Sequence, residues 1–268
     1  MSIPVSRKLF QCIPTSGMVI IAGGIGSGKS CLSYGILENY HLIKPDRALY
    51  VYNFPKKKAN LLPDYIKPTS NAEFPEGAVV LADEAYFAFY AKDHSNELNR
   101  FMDQFSGLAR QKDILTVFVT QSTRKLTLAA VSGVQAMLLK CPDIMMVRLD
   151  RPELRPMWKD VLEEFRSLPT GERQAATHVV SMDYEGLLLK SNRPPAFWSK
   201  ELSQAWEGVA INRVKAQEKT LNGNSKPGRL KKRRTILAKT CPTCRRPAYD
   251  IQPEGSCELC RNPLMPPA

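Results

Sequence analysis

The sequence predicts an α/β fold built on a mostly parallel sheet flanked by helices, followed by a small cysteine-rich unit at the C-terminus. Three observations predict it. Apolar runs of strand length alternate with segments of helical periodicity through the first 210 residues. A glycine-rich stretch separates the first of these strands from a helical segment. Two C-x-x-C pairs lie in the last 28 residues, a length too short to fold on an apolar core alone.

The length and the charge distribution predict three regions. The chain has 268 residues and a formal charge of +12. Residues 208–268 hold 13 basic and 4 acidic side chains, so most of the charge lies in the C-terminal quarter. Such a concentration is typical of proteins that bind a polyanion, most often nucleic acid. We predict an α/β domain over residues 1–210, a basic flexible linker over 211–240 and a separate unit over 241–268.

The sequence also argues against two classes of protein. No run approaches the roughly 18 apolar residues that a membrane span needs, and the first 16 residues are interrupted by proline and charged side chains. A secretory signal is therefore not expected. With seven cysteines and no export signal, we expect a reducing, intracellular location, either cytoplasmic or, for a viral protein, in the virion.

The first strand, helix and intervening loop form a phosphate-binding motif. The apolar run that ends at Ala22 predicts a strand over about 18–22, and the residues from Cys31 to Tyr40 predict a helix. Between them the chain fits G-x-x-x-x-G-K-[ST], in which backbone N–H groups and a helix N-terminus surround phosphate oxygens. The predicted nucleotide-binding residues are Gly23, Gly24, Ile25, Gly26, Ser27, Gly28, Lys29, Ser30 and Cys31.

A pair of carboxylates follows the predicted strand 78–82. Asp83, with the hydroxyl of Ser30, is placed to bind Mg²⁺. Glu84 comes one residue later, where a carboxylate can activate a water near the γ-phosphate. A nucleotide-binding protein needs only the first acid, so the second argues for hydrolysis. The alternative is a surface Asp-Glu pair after a core strand.

The run 115–120 is unbroken, β-branched and aromatic, and predicts a buried strand. Gln121 follows it on the sheet edge where parallel α/β proteins bind ligands. It is a candidate to contact the γ-phosphate or the attacking water, and its alternative role is a polar residue that ends the strand.

An amphipathic helix is predicted over 96–110, and it ends at Arg110. In NTPases an arginine from a neighbouring subunit can stabilise the transition state. Arg110 is the first candidate for this arginine, Arg100 is the second, and Arg124 is a weaker one. A solvated cation at a helix end is the alternative.

The remaining elements are predicted from apolar patterning alone. Residues 55–75 are rich in proline and are expected to be mostly loop. An amphipathic helix is expected around Trp158, and a final helix is expected to end near Val209. Further strands are predicted over 48–53, 136–140, 144–149 and 177–183.

The C-terminal cysteines have the spacing of a structural zinc site. The two pairs are separated by 12 residues, and four thiolates in this pattern suit tetrahedral Zn²⁺, which would also supply folding free energy. Disulfides are the alternative. The predicted ligands are Cys241, Cys244, Cys257 and Cys260.

A basic run, Lys231, Lys232, Arg233 and Arg234, precedes these cysteines. We predict that it contacts DNA phosphates. Two alternatives remain open: a solvated linker beside a protein-docking unit, and a nuclear-localisation signal.

The order of these motifs resembles the FtsK–HerA superfamily of ring-forming, DNA-pumping P-loop ATPases with a RecA-like fold. Within it, the compact size is similar to genome-packaging ATPases of membrane-containing viruses. The stretch from Ser106 to Gln121 carries most of the resemblance, which covers about residues 18–150. The sequence is also similar to the assembly ATPases of filamentous phages, although those commonly carry a transmembrane helix.

The resemblance implies a homo-oligomeric ring, a hexamer, around double-stranded DNA, with capsid proteins as possible partners. It implies that Lys29, Ser30, Asp83, Glu84 and Gln121 bind and cleave ATP and that an arginine near Arg110 acts in trans. Three other functions fit parts of the sequence: a chromosome-segregation or repair translocase, an ATP-switched DNA-binding regulator, and a small-molecule kinase.

Overall fold

A computed structural model describes residues 3–70, 73–83, 111–121, 123, 133–207, 239–240 and 247–248. The chain divides into two compact units, Met1–Arg213 and Val214–Ala268. The first contains an eight-stranded sheet, and the described part of the second contains two short antiparallel strands, β9 and β10.

The strands of the first unit are β1 (Gly17–Ala22), β2 (Leu49–Tyr52), β3 (Ile66–Thr69), β4 (Val79–Ala82), β5 (Leu115–Thr120), β6 (Ala136–Leu139), β7 (Thr177–Ser181) and β8 (Glu185–Leu188). The α-helices are α1 (Arg7–Gln11), α2 (Lys29–Ile43), α3 (Ile144–Leu149), α4 (Arg155–Arg166), α5 (Thr170–Arg173) and α6 (Lys200–Ser203). The strands of the second unit are β9 (Lys239–Thr240) and β10 (Pro247–Ala248). Within these described ranges no helix combines the length and apolarity needed to cross a membrane.

The sheet brings the predicted site segments to one edge. Its order is β3-β2-β4-β5-β1-β6-β7-β8, in which the first six strands are parallel, and β7 pairs antiparallel with both β6 and β8. β5 lies between β1 and β4, pairing with both. Because parallel neighbours end on the same side, the loops after these three strands meet there. The prediction of a mostly parallel sheet flanked by helices is confirmed.

Helices cover both faces of the sheet, which explains the unbroken apolar runs of its central strands. On one face, α2 contributes Leu32 and Ile36 to a core that includes Val19. On the other, α4 contributes Trp158 and Phe165 to a second core. Every residue of β1, β4 and β5 is buried. The phosphate loop therefore begins from a fixed strand.

Several predicted elements were wrong or incomplete. Residues 144–149 form helix α3 and not a strand, because the Asp143 carboxylate accepts a hydrogen bond from Met146 N at 2.6 Å and caps a helix. The stretch expected to be mostly loop contains β3. β7 ends at Ser181 and is followed by β8, so it is not the last strand. Among the described residues the last helix is the short α6, which ends at Ser203, and the predicted end near Val209 lies outside them.

Candidate functional site

The phosphate loop connects the end of β1 to the start of α2, as the motif predicts. Gly28 is the N-cap of α2 and has a φ of 90°, a left-handed conformation that favours glycine. Helix α2 begins at Lys29, two residues before the predicted start. Its N-terminal N–H groups therefore belong to the loop, where they are available to an anion.

The loop packs closely against the segment that follows β6. A Cβ atom added at Gly23 would lie 2.8 Å from the Lys140 carbonyl oxygen, so a larger residue does not fit. The next residue, Gly24, donates its N–H to the Cys141 carbonyl at 3.0 Å. The start of the loop is therefore fixed by backbone contacts that only glycine permits.

Lys29 and Ser30 occupy the positions that the motif requires. The Lys29 side chain is buried, and its Nζ donates to the Gly24 carbonyl at 2.7 Å. Ser30 Oγ donates to Asp83 Oδ1 at 3.3 Å, although the two residues are 53 positions apart. Asp83 directly follows β4 and is 4% exposed. The hydroxyl and carboxylate are oxygen ligands of the kind that Mg²⁺ prefers, so this pair fits the predicted metal site.

Gln121 directly follows β5, the strand between β1, which leads into the loop, and β4, which leads into Asp83. It lines the same cavity as the loop. Glu84, Arg110, the other candidate arginines, the zinc cysteines and the basic run Lys231–Arg234 lie outside the described residues. Among the described residues no group of three or more histidine, cysteine or carboxylate side chains could hold a metal ion.

A cavity of about 630 Å³ opens beside the loop. This volume is in the range of small-molecule binding sites. Its lining comes from two parts of the chain: residues 25–31 with Gln121, and residues from 171 to 203. The second group comprises Gly171, Gln174, Ala175, Asn192, Arg193, Pro194, Trp198 and Ser203.

Lys140 is a buried cation under the loop that sequence reasoning missed. Its side chain is 0% exposed, and its Nζ donates to the carbonyls of Gln174 at 2.7 Å and Ala176 at 2.5 Å. It also donates to Asn192 Oδ1 at 2.9 Å and lies 3.4 Å from Thr177 Oγ1. Burial lowers the pKa of Lys140 to about 7, an effect that Cys31 and Cys141 oppose.

Gln174 links this lysine to the loop. Its carbonyl accepts from Lys140, while its side-chain Nε2 donates to the Gly26 carbonyl at 3.0 Å. A Cβ at Gly28 would lie 3.3 Å from that same Gln174 carbonyl. The two sides of the cavity are therefore joined by hydrogen bonds beneath the phosphate loop.

Cys31, the last residue of the predicted nucleotide site, is a partly exposed thiol at the start of α2. Burial raises its pKa to about 11, and the nearby Lys140 charge acts in the opposite direction. At neutral pH it is a protonated thiol that contributes packing and a weak hydrogen-bond donor to the cavity.

No family model matches the chain, and no curated protein matches it significantly. Solved structures do resemble it. The DNA-packaging ATPase B204 of Sulfolobus turreted icosahedral virus is 12% identical, with a TM-score of 0.46 over 68% of this chain and 98% of that one. The pCW3 conjugation coupling protein TcpA is 14% identical, with a TM-score of 0.44 over 65% of this chain and 59% of that one.

A KaiC-like protein from Pyrococcus horikoshii is 10% identical, with a TM-score of 0.33 over 46% of this chain and 70% of that one. At these identities and TM-scores, the likeness assigns neither an activity nor a partner to this chain. The phosphate loop, the Ser30–Asp83 contact and the adjoining cavity are properties of its own residues.

Proposed function

We propose that this protein is an ATP-hydrolysing DNA translocase, and most specifically the ATPase of a viral genome-packaging motor. The observation that carries the ATPase part is the contact between Ser30 Oγ and Asp83 Oδ1 beside the phosphate loop. This contact joins the two halves of a nucleotide–magnesium site from segments far apart in the chain. The motif resemblance and the basic C-terminal quarter support the DNA part.

In the proposed reaction, the loop N–H groups and Lys29 hold the β- and γ-phosphates of ATP. Mg²⁺, held by Ser30 and Asp83, would neutralise charge on the phosphate oxygens. Glu84 accepts a proton from the water that attacks the γ-phosphorus, and the bond to the ADP oxygen breaks. Gln121, at the end of β5, orients that water or contacts the γ-phosphate.

The proposed assembly is a ring, a hexamer, around double-stranded DNA. An arginine from the neighbouring subunit would stabilise the charge that develops in the transition state, and Arg110 is the preferred candidate. Contacts to the DNA backbone would hold the DNA with little sequence preference, because phosphates carry no sequence information. We propose that Lys231–Arg234 and a zinc unit on the four cysteines add DNA affinity or attach the motor to a capsid.

The test is steady-state ATP hydrolysis with and without double-stranded DNA, at 50 and at 200 mM salt. We expect DNA to stimulate hydrolysis, and less so at high salt, because phosphate contacts release counterions. Lys29→Ala should abolish turnover. Glu84→Gln should bind ATP without hydrolysing it, whereas Glu76→Gln, the same change on an exposed residue before β4, should hydrolyse normally.

Two results would contradict the proposal in different ways. If Glu84→Gln hydrolysed ATP at the unmodified rate, Glu84 would not be the base. If DNA left a very slow turnover unchanged, the translocase would be rejected in favour of an ATP-switched DNA-binding regulator.

A further inference from the structure

The cavity beside the phosphate loop has a second wall whose role the phosphate chemistry does not explain. The loop and the start of α2 account for the triphosphate and its metal ion. The second wall, formed by Gly171, Gln174, Ala175, Asn192, Arg193, Pro194, Trp198 and Ser203, lines the same 630 Å³ space. A nucleotide anchored at the loop by its phosphates would place its sugar and base in the rest of this space.

This wall is held in place, although residues 191–198 form no helix or strand. The Ala196 N–H donates to both carboxylate oxygens of Glu38 on α2, at 3.0 and 3.1 Å. The Arg193 N–H donates to the Pro4 carbonyl at 2.9 Å, and the Ser191 N–H to the Ala175 carbonyl at 2.7 Å. With the Lys140 bond to Asn192, these contacts fix the wall relative to the loop before any ligand binds.

Trp198 is the aromatic residue of this wall. Its indole is half-buried, and its ring centroid lies 6.0 Å from that of Tyr34 at an interplanar angle of 50°. Tyr34 is buried on α2, about one turn beyond Ser30. Trp198 therefore packs against the helix that begins at the phosphate loop, and it also lines the cavity.

Three polar side chains of the wall already make hydrogen bonds within the chain. Gln174 Nε2 donates to Gly26 O, and Ser203 Oγ donates to Lys200 O at 2.7 Å. Asn192 Oδ1 accepts from Lys140, and its Nδ2 donates to the Gln174 carbonyl at 3.4 Å. Apart from these, the wall contributes the exposed Arg193 and the aromatic ring of Trp198, and an aromatic ring suits any base.

We infer that Trp198 is the nucleobase platform of this site, and that it binds the base by stacking with little discrimination between ATP and GTP. The inference rests on the proposed nucleotide-binding function and deepens it. Stacking of a base on an aromatic side chain is tolerant of base identity, since every base has a π face.

The experiment compares the binding of ATP, GTP and inorganic tripolyphosphate, each with Mg²⁺, by calorimetry. Trp198→Ala should weaken ATP and GTP binding about 5- to 150-fold, the range that corresponds to the loss of one stacked base. Tripolyphosphate binding should be unchanged, because it has no base. Trp198→Phe should keep most of the nucleotide affinity, since a phenyl ring still stacks.

Trp206→Ala is the matched control, because Trp206 packs near Phe54 and is not among the residues that line the cavity. It should leave the binding of all three ligands unchanged. Equal losses for ATP and tripolyphosphate in Trp198→Ala would show a purely structural role and overturn the inference. So would unchanged ATP affinity, or strong discrimination between ATP and GTP by the unmodified protein. If the unmodified protein bound neither nucleotide nor tripolyphosphate, the proposed function itself would be overturned, and the inference with it.

Discussion

Replacing Lys140 with methionine is expected to change how the free energy of unfolding depends on pH. Methionine has a similar length and no charge, so it removes the buried ammonium and its bonds to the carbonyls of Gln174 and Ala176. The substitution tests whether the folded protein lowers the pKa of Lys140 and is therefore less stable when this lysine is protonated.

The direction of the pH dependence follows from the proton bound to Lys140 in the folded and in the unfolded chain. Burial lowers the pKa of Lys140 from 10.5 to about 7 in the folded protein. Between these pH values the unfolded chain binds a proton that the folded chain has released, so the free energy of unfolding rises with pH. The slope is about 1.4 kcal/mol per pH unit. Below pH 7 both states are protonated, and this contribution is constant.

The structure also sets an upper limit on how much the free energy of unfolding can rise with pH. Hydrogen bonds from the ammonium to carbonyl oxygens favour its charged form and oppose the effect of burial. From pH 7 to pH 9 the gain is therefore at most about 3 kcal/mol. Cys31 and Cys141 lie near this lysine, and burial raises the pKa of both thiols, that of Cys31 to about 11.

The assay is urea unfolding of the nucleotide-free protein at several pH values from 6.5 to 9. The difference in unfolding free energy between the unmodified protein and Lys140→Met should grow in favour of the unmodified protein above pH 7. Lys159→Met, at an exposed position on α4, should give a curve parallel to the unmodified one. A constant difference between the unmodified protein and Lys140→Met across this range would contradict the lowered pKa of Lys140.

Two further predictions concern cysteines. At pH 8, Cys31 should react with N-ethylmaleimide about tenfold more slowly than an exposed thiol, because its pKa of about 11 lowers the thiolate fraction about a hundredfold and higher nucleophilicity restores part of the rate. ATP should slow the reaction further, and peptide mass spectrometry follows it; a rate equal to that of glutathione would contradict the burial of this thiol. The purified protein should contain one zinc ion per chain by elemental analysis, and Cys244→Ser should lose it; the absence of zinc from the unmodified protein would reject the C-terminal zinc unit.

The strands that carry the site could be predicted from sequence because they are buried on both faces. β1, β4 and β5 were each placed to within one residue, since an unbroken apolar run is typical of a central parallel strand. The contact between Ser30 and Asp83 could be expected from the motif and the sheet edge.

Short or peripheral elements were harder to predict. Residues 144–149 are apolar except for Arg148, a short pattern that suits either a strand or a helix, and the capping role of Asp143 favours the helix. β3 contains Lys67 and Pro68, which suit an edge strand. They also interrupt the apolar patterning from which a strand is predicted.

Lys140 could not be identified because nothing local distinguishes it from a solvated residue after a strand. Its hydrogen-bond acceptors lie 34 to 52 positions later in the chain. Only the folded arrangement brings the segments around Gln174 and Asn192 beneath the phosphate loop. The wall that carries Trp198 was missed for the same reason.

The bond between Lys29 Nζ and the Gly24 carbonyl gives the phosphate loop a built-in competitor for its ligand. The ammonium has three N–H donors, so a phosphate oxygen can bind beside that carbonyl or replace it. A small monovalent anion makes only this one contact, whereas a polyphosphate also engages the loop N–H groups and a metal ion in the same event. The loop should therefore favour polyphosphates over chloride and inorganic phosphate.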